Sequence, residues 1–196
     1  YDRLSETGIR QSAVLGEHLA RLPVQFDAVY TGEMERQIHT AGQVIRLYRK
    51  KGLKLSDPIT DAAFNEYDAH AVWEIQTEMM GKQGSEPLIA AFESDRSNTK
   101  LFQKLFAKVI ARWISGEFDT PGVETWQSFK DRIATGLAGL NQNRRPSDTI
   151  ALFSSGGVIS VAVQQALDLS DTAAVELSWQ IKNASVTRLT FNGTRI

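Results

Sequence analysis

Residues 151–160, ALFSSGGVIS, join a run of β-type residues to an apolar helical pattern through two hydroxyls and two glycines. A strand-to-helix turn of this kind can carry a reactive serine, hold an anion on backbone N–H groups, or simply change direction. A nucleophile elbow requires Gly-x-Ser-x-Gly. Phe153 stands where an elbow on Ser155 needs its first glycine, and Leu152 where one on Ser154 needs it. The base histidine of that fold also follows the serine in sequence, whereas His18, His39 and His70 all precede it. A serine hydrolase is therefore set aside. A metal centre would need clustered His, Asp or Glu. The three histidines are scattered, and EYDAH (66–70) reads as a solvated loop rather than a Mg²⁺ site.

Anion binding is better served. Gly156 and Gly157 offer N–H groups at the start of a helix, on the C-terminal edge of a parallel sheet where α/β ligands bind. Arg36 falls early in the helix after the strand DAVYT, near the same edge, and a guanidinium can fork two phosphate oxygens. Ser155 reads both as a donor to a phosphate and as an N-cap of the following helix, two roles that are compatible. Together these residues point to a phosphate-binding site.

The composition fits that chemistry and excludes others. A chain of 196 residues, 42% hydrophobic and 23% charged, has the make-up of one globular domain with a real core. The net charge of −1 and pI of about 6.4 supply no global field for nucleic acid or acidic membranes. The basic cluster of Arg46, Arg49, Lys50 and Lys51 belongs to the end of a helix, where cations complement the dipole. Zero cysteines removes disulfides, thiolate nucleophiles and Cys-ligated zinc together, and makes a reducing, cytoplasmic setting the default expectation. No run of residues is apolar enough for a membrane span. Association into a homo-oligomer is left open.

The elements that must position these residues follow from periodicity. Ser5 caps a helix to about Leu22, with Ile9, Ala13, Gly16 and Leu19 on its inner face. FDAVYT (26–31) reads as a buried strand. A second helix, Glu33 to Lys51, places Ile38, Ala41, Ile45 and Tyr48 inward and stops at Gly52. Residues 64–120 change texture to helices only, the best of them showing Phe102, Phe106, Val109 and Trp113 on one stripe. This segment is expected to be an inserted helical cap. Trp126, Phe129, Ile133, Leu137 and Leu140 mark another helix, which ends in the polar NQNRRPSD. The strand TIALF, the helix VISVAVQQAL and a last strand ASVTRLTF (184–191) complete the pattern. The alternation predicts one domain over 1–196, a three-layer α/β/α fold with a mostly parallel sheet.

Several segments together resemble the histidine phosphatase superfamily, which includes the cofactor-dependent phosphoglycerate mutases. LSETGIRQSAVLGEHL is similar to the family's first helix. FDAVYTGEMERQIHTA resembles Tyr-Ser-Ser-Pro-Leu-x-Arg-Ala-x-x-Thr-Ala, with Arg36, Thr40 and Ala41 in register. FNEYD resembles the segment carrying the family's acidic residue, at Glu66. PGVETWQSFKDRI matches at Pro121, Gly122, Glu124, Phe129 and Arg132, and ALFSSGGVI resembles Val-Ser-His-Gly-Gly-x-Ile.

The resemblance implies phosphoryl transfer through a phosphohistidine, on a small phosphorylated substrate and without metal or cofactor. Arg36 would clamp the phosphoryl oxygens, Glu66 would protonate the leaving oxygen, and Ser155, Gly156 and Gly157 would bind phosphate. Ser155 stands where the family has a second histidine, and Gly32 and Glu33 where it has Ser and Pro. The change to an uncharged donor is expected to cost about two to three orders of magnitude in rate, the scale of a lost oxyanion donor. The family's Arg-His-Gly strand would precede Tyr1, so the sequence is expected to be an incomplete record. A phosphatase is the expected activity. The alternatives are a weakened or inactive member that binds a phosphorylated ligand or partner, and, behind it, a mutase.

Overall fold

Three short parallel strands precede the loops and helices that hold Arg36, Glu66, Ser155, Gly156 and Gly157. The computed structural model describes residues 2–142, 145 and 147–192, apart from the side chains of residues 85 and 86. Residues 143, 144 and 146 of NQNRRPSD, and residues 193–196, lie outside the described residues. Strand β1 (Ala28–Thr31) lies between β2 (Ile59–Thr60) and β3 (Ile150–Phe153), parallel to both. Thr31 is level with Phe153, so β1 and β3 end at the same edge. The connections between strands contain helices, as parallel pairing demands. Val29, Thr31, Ala151 and Phe153 are buried, and the residues between them half-buried. A sheet with both faces at least partly covered follows from that pattern.

The described chain falls into two compact units, one of residues up to Glu66 and from Arg132 onward, the other Tyr67–Asp131. In the first, helix α1 (Glu6–Leu19) packs on α2 (Glu35–Lys50). Leu15, Leu19, Ala41, Val44, Ile45 and Tyr48 share one core with Val29, Ala151 and Phe153. Ser5 caps α1 through its hydroxyl, which accepts from Gly8 N at 3.1 Å. Helix α7 (Gly156–Leu167) follows β3 and packs on α8 (Asp171–Gln180).

In the second unit, α3 (Ala69–Met80), α4 (Glu86–Ser94) and α5 (Thr99–Ser115) pack together, and α6 (Trp126–Gln142) begins there. Asp68 caps α3, accepting from the N–H groups of His70 and Ala71 at 3.0 Å. Its carboxylate therefore serves the helix terminus. Tyr67, Trp113, Trp126 and Phe129 form an aromatic cluster with ring centroids 4.4–6.0 Å apart. Trp113 Nε1 donates to Glu124 O at 2.8 Å, which leaves the buried indole satisfied.

Some expectations need correction. On α1 the buried residues are Ser12, Leu15, Gly16 and Leu19, while Ile9 is exposed. On α2, Gln37 and Val44 join Ala41, Ile45 and Tyr48 inside, and Ile38 is only half-buried. On α5, Leu105 and Ile110 are buried with Val109 and Trp113, whereas Phe102 is exposed and Phe106 half-buried. The expected strand 184–191 is not formed. Residues 185–191 carry no strand assignment among the described residues, and Val186 is exposed. Their β-branched and aromatic composition favours a strand only where a ladder partner is in place. In the described sheet β3 pairs on one side only, with β1.

Candidate active site

The C-terminal edge of β1 and β3 gathers four of the five expected residues around two hydrogen bonds. The first joins two of them directly. Glu66 Oε2 accepts from Gly157 N at 2.9 Å, within the first turn of α7. Ser155 is the N-cap residue by position, with extended backbone, but its hydroxyl makes no capping bond. Glu66 supplies the cap from a distant loop. A Cβ at Gly157 would lie 2.1 Å from Glu66 Oε1, so the carboxylate rests where any larger residue would place its side chain. A helix N-terminus favours a negative group by its dipole and its unsatisfied N–H donors. Here that group belongs to the protein.

The second bond involves a residue the sequence did not suggest. Gln37 is 2% exposed, and its Nε2 donates to Ser155 Oγ at 2.9 Å and to Phe64 O at 3.1 Å. Ser154 Oγ lies 3.4 Å from the same nitrogen and donates to Phe64 O at 2.8 Å. Ser154 is thus committed to the backbone. Gly32 makes room for the amide: a Cβ there would meet Gln37 Oε1 at 2.0 Å and Phe64 O at 2.7 Å. A residue with a side chain at position 32 would displace this amide or the Phe64 carbonyl. A polar residue four positions before Ala41, on the inward face of α2, is the sequence signal that could have found Gln37.

Arg36, one residue earlier in the first turn of α2, pairs with Asp2 at 2.9 Å. The Arg36 side chain is 21% exposed. The Asp2 carboxylate also accepts from Glu35 N at 2.8 Å and Arg36 N at 3.5 Å, capping α2 where Met34 has no capping side chain. Partial burial of the Asp2 carboxyl is outweighed by those two N–H groups and the Arg36 charge, and its pKa lies below the usual aspartate value. Nothing in the local sequence marks Asp2, because its partners lie more than thirty residues away.

The loop that carries Phe64 and Glu66 is fixed from three sides. Arg132, on α6, donates Nη1 to the carbonyls of Ala62, Ala63 and Asn65 at 2.9, 3.1 and 2.9 Å. Asn65 Oδ1 accepts from Glu33 N at 2.6 Å, tying the loop to the link between β1 and α2. Phe64 is fully buried. His18, His39 and His70 are exposed, and none adjoins this loop in the hydrogen-bond network of the described residues. No group of three metal-ligating side chains occurs among the described residues. No described helix is long and apolar enough to cross a membrane.

The geometry therefore offers a helix N-terminus, a hydroxyl and a carboxylate on one sheet edge, with the Arg36 guanidinium on the Asp2 carboxylate in the first turn of α2. Known proteins share its framework. A phosphoglycerate mutase from Bacillus anthracis superposes with a TM-score of 0.54 at 18% identity, over 84% of this chain and 69% of that one. A mycobacterial glucosyl-3-phosphoglycerate phosphatase gives 0.53 at 17% identity, over 90% and 72%. The alpha-ribazole phosphatase from Shigella flexneri gives 0.52 at 19% identity, over 93% and 75%. Likeness at these identities fixes the fold, a helix-rich α/β architecture of the phosphoglycerate mutase type. Among curated proteins none matches in sequence. The model of the histidine phosphatase superfamily (branch 1) matches residues 3–114 and 95–196. With that match running through nearly the whole sequence and the parallel-sheet framework shared, the chain belongs to the histidine phosphatase superfamily.

Proposed function

We propose that this protein is a phosphomonoester hydrolase in which Arg36, Ser155 and the α7 N-terminus bind the phosphoryl group and Glu66 serves the leaving oxygen. The observation that carries the reading is the Glu66 carboxylate seated on Gly157 N at 2.9 Å. It marks this helix end as a place where an anion is stable, beside a half-buried hydroxyl whose own hydrogen meets no acceptor among the described residues. Superfamily membership supports the reaction class. Neighbours whose names include a glucosyl-3-phosphoglycerate phosphatase and an alpha-ribazole phosphatase support a small phosphorylated substrate.

In the proposed reaction a neutral histidine nitrogen attacks phosphorus while the P–O bond to the alcohol breaks. Glu66 delivers a proton to the departing oxygen. Water then attacks the phosphohistidine, giving one proton to the Glu66 carboxylate as the N–P bond breaks, which releases phosphate and restores both the neutral histidine and the protonated Glu66. Arg36 and the donors around Ser155 offset the charge on the transferring group. The nucleophile is the histidine of an Arg-His-Gly motif, which the superfamily resemblance implies and which lies outside residues 1–196. His18, His39 and His70 are not in such a motif.

The test is hydrolysis of a generic aryl phosphate by the full-length protein. The parent should turn over, and Arg36→Ala should lose about two to three orders of magnitude in rate. Full activity in Arg36→Ala would remove this pocket from the reaction. One feature favours a second reading, a binder of phosphorylated ligands without turnover: Ser155 replaces a charged donor by a neutral one. A silent parent and an active Ser155→His would establish that reading.

A further inference from the structure

We propose that Gln37 is a positioning residue, which turns the Ser155 hydroxyl into a hydrogen-bond donor aimed at the phosphoryl group. The inference rests on the reading that Ser155 faces that group, and it adds how an uncharged side chain can serve there.

The neighbours of the Gln37 amide fix its orientation. Gln37 has one donor end and one acceptor end, and a 180° turn would exchange them. Phe64 O, 3.1 Å away, can only accept. The atom facing it must therefore be Nε2, because Oε1 in that place would set two acceptors against each other. The same Nε2 has a second hydrogen, and it reaches Ser155 Oγ at 2.9 Å. Ser155 Oγ is thus an acceptor from Gln37. A hydroxyl that accepts on one side keeps its own hydrogen for another direction.

No other bond competes for that hydrogen. Ser155 makes no capping bond to α7, whose Gly157 N is taken by Glu66, and no acceptor for it is in place among the described residues. Ser154, the neighbouring hydroxyl, is spent on Phe64 O at 2.8 Å. The two serines are therefore not equivalent. One locks the loop, and the other is held half-buried with a directed O–H.

The arrangement also carries a cost that the scaffold does not need. Gln37 Oε1 is buried without a hydrogen-bond partner among the described residues. Leaving a buried acceptor unmade is unfavourable, and an apolar residue of similar length would avoid it. Phe64 O would keep its bond from Ser154 in such a variant. What an apolar residue could not do is hold the Ser155 oxygen. Pre-set donors are favoured where charge must be met without reorganisation.

The test uses the full-length protein and inorganic phosphate as the probe, with affinity measured by calorimetry and folding by thermal unfolding. Gln37→Met should stay folded and bind phosphate about three- to tenfold more weakly, as expected for loss of one oriented bond to an anion. Ser155→Ala should weaken binding at least as much. The double variant should be no weaker than Ser155→Ala alone, since Gln37 acts only through Ser155. Equal affinity in Gln37→Met and the parent, or losses that add in the double variant, would overturn the proposal. A second measurement holds even if Gln37→Met fails to fold. In the parent, the side-chain NH₂ signals of Gln37 should shift on saturation with phosphate and should not shift in Ser155→Ala; signals unmoved in the parent would overturn it. A parent that binds no phosphate would instead overturn the pocket reading itself, and the role of Gln37 with it.

Discussion

The loop from Asp61 to Glu66 and the helical unit Tyr67–Asp131 adjoin in sequence but are ordered by different forces. In the loop, single atoms matter: Arg132 Nη1 on three carbonyls, Ser154 Oγ and Gln37 Nε2 on Phe64 O, Glu66 Oε2 on Gly157 N. In the helical unit, area and volume matter: three rings around Trp113, with Leu105, Val109 and Ile110 also buried on α5. Polar networks specify a geometry sharply and fail sharply, because a half-satisfied group loses its partner and its solvent together. Apolar packing is broader in its tolerance and larger in its total. Mutation should therefore be felt in rate at the loop and in stability at the helical unit.

The largest stability effect is expected on the aromatic side. Trp113→Ala removes a 2% exposed indole from contact with Tyr67, Trp126 and Phe129, and should cost about 3–5 kcal/mol in denaturant unfolding. Arg132→Ala should come next, at about 2–3 kcal/mol, since the three loop carbonyls lose a charged donor. Hydrogen exchange at Gly157 should rise in that variant, reporting a loosened Glu66. If exchange there is unchanged, the loop is not held by Arg132.

Gly157→Ala separates the two kinds of effect. The new Cβ lies 2.1 Å from Glu66 Oε1, the end of a flexible side chain that can move away. Stability should change by no more than about 1 kcal/mol, because alanine also favours the helix. Aryl phosphate hydrolysis should nonetheless fall more than about tenfold if Glu66 delivers the proton. Undiminished turnover would reassign that proton to another donor.

The smallest effect concerns Asp2. Its folded pKa lies below the ordinary value of 3.8, so the stability it adds is present above that value and is lost as pH falls through the folded one. With the Asp2 side chain 40% exposed, solvent screening holds the contribution under about 1 kcal/mol. Asp2→Asn should flatten the acid limb of a stability–pH curve and leave the curve near pH 7 lower by that small amount. An identical acid limb would show that the Arg36 pair and the α2 cap add nothing measurable.

What could be read from the sequence divides along the same line. The inward residues of α6, Trp126, Phe129, Ile133, Leu137 and Leu140, follow a helical period and are all buried. The strands DAVYT and TIALF and the Gly-Gly turn appear where β-type runs and glycines put them. Periodicity reports apolar burial, and those elements are defined by it. It is silent on Gln37, whose meaning lies in a bond to a residue more than a hundred positions away, and on Asp2, which caps a helix it does not belong to. The resemblance that pointed to Glu66 gave no hint that its carboxylate would sit on Gly157 N. The two-residue β2 is exposed and too short to leave a pattern. The run at 184–191 had the pattern without the partner.

A helix end that already holds Glu66 is not an empty receptor. If an anion binds at Gly157 N as proposed, it would exchange with the resident carboxylate, and its affinity there would be set by a difference between two ligands, one of them tethered. Weak anions lose that contest, and only a ligand with further contacts wins it. The same exchange releases a carboxylate at the moment the seat is filled. On the proposed function, occupancy and the availability of Glu66 would be two sides of one equilibrium, and departure of the anion would let the tethered group return.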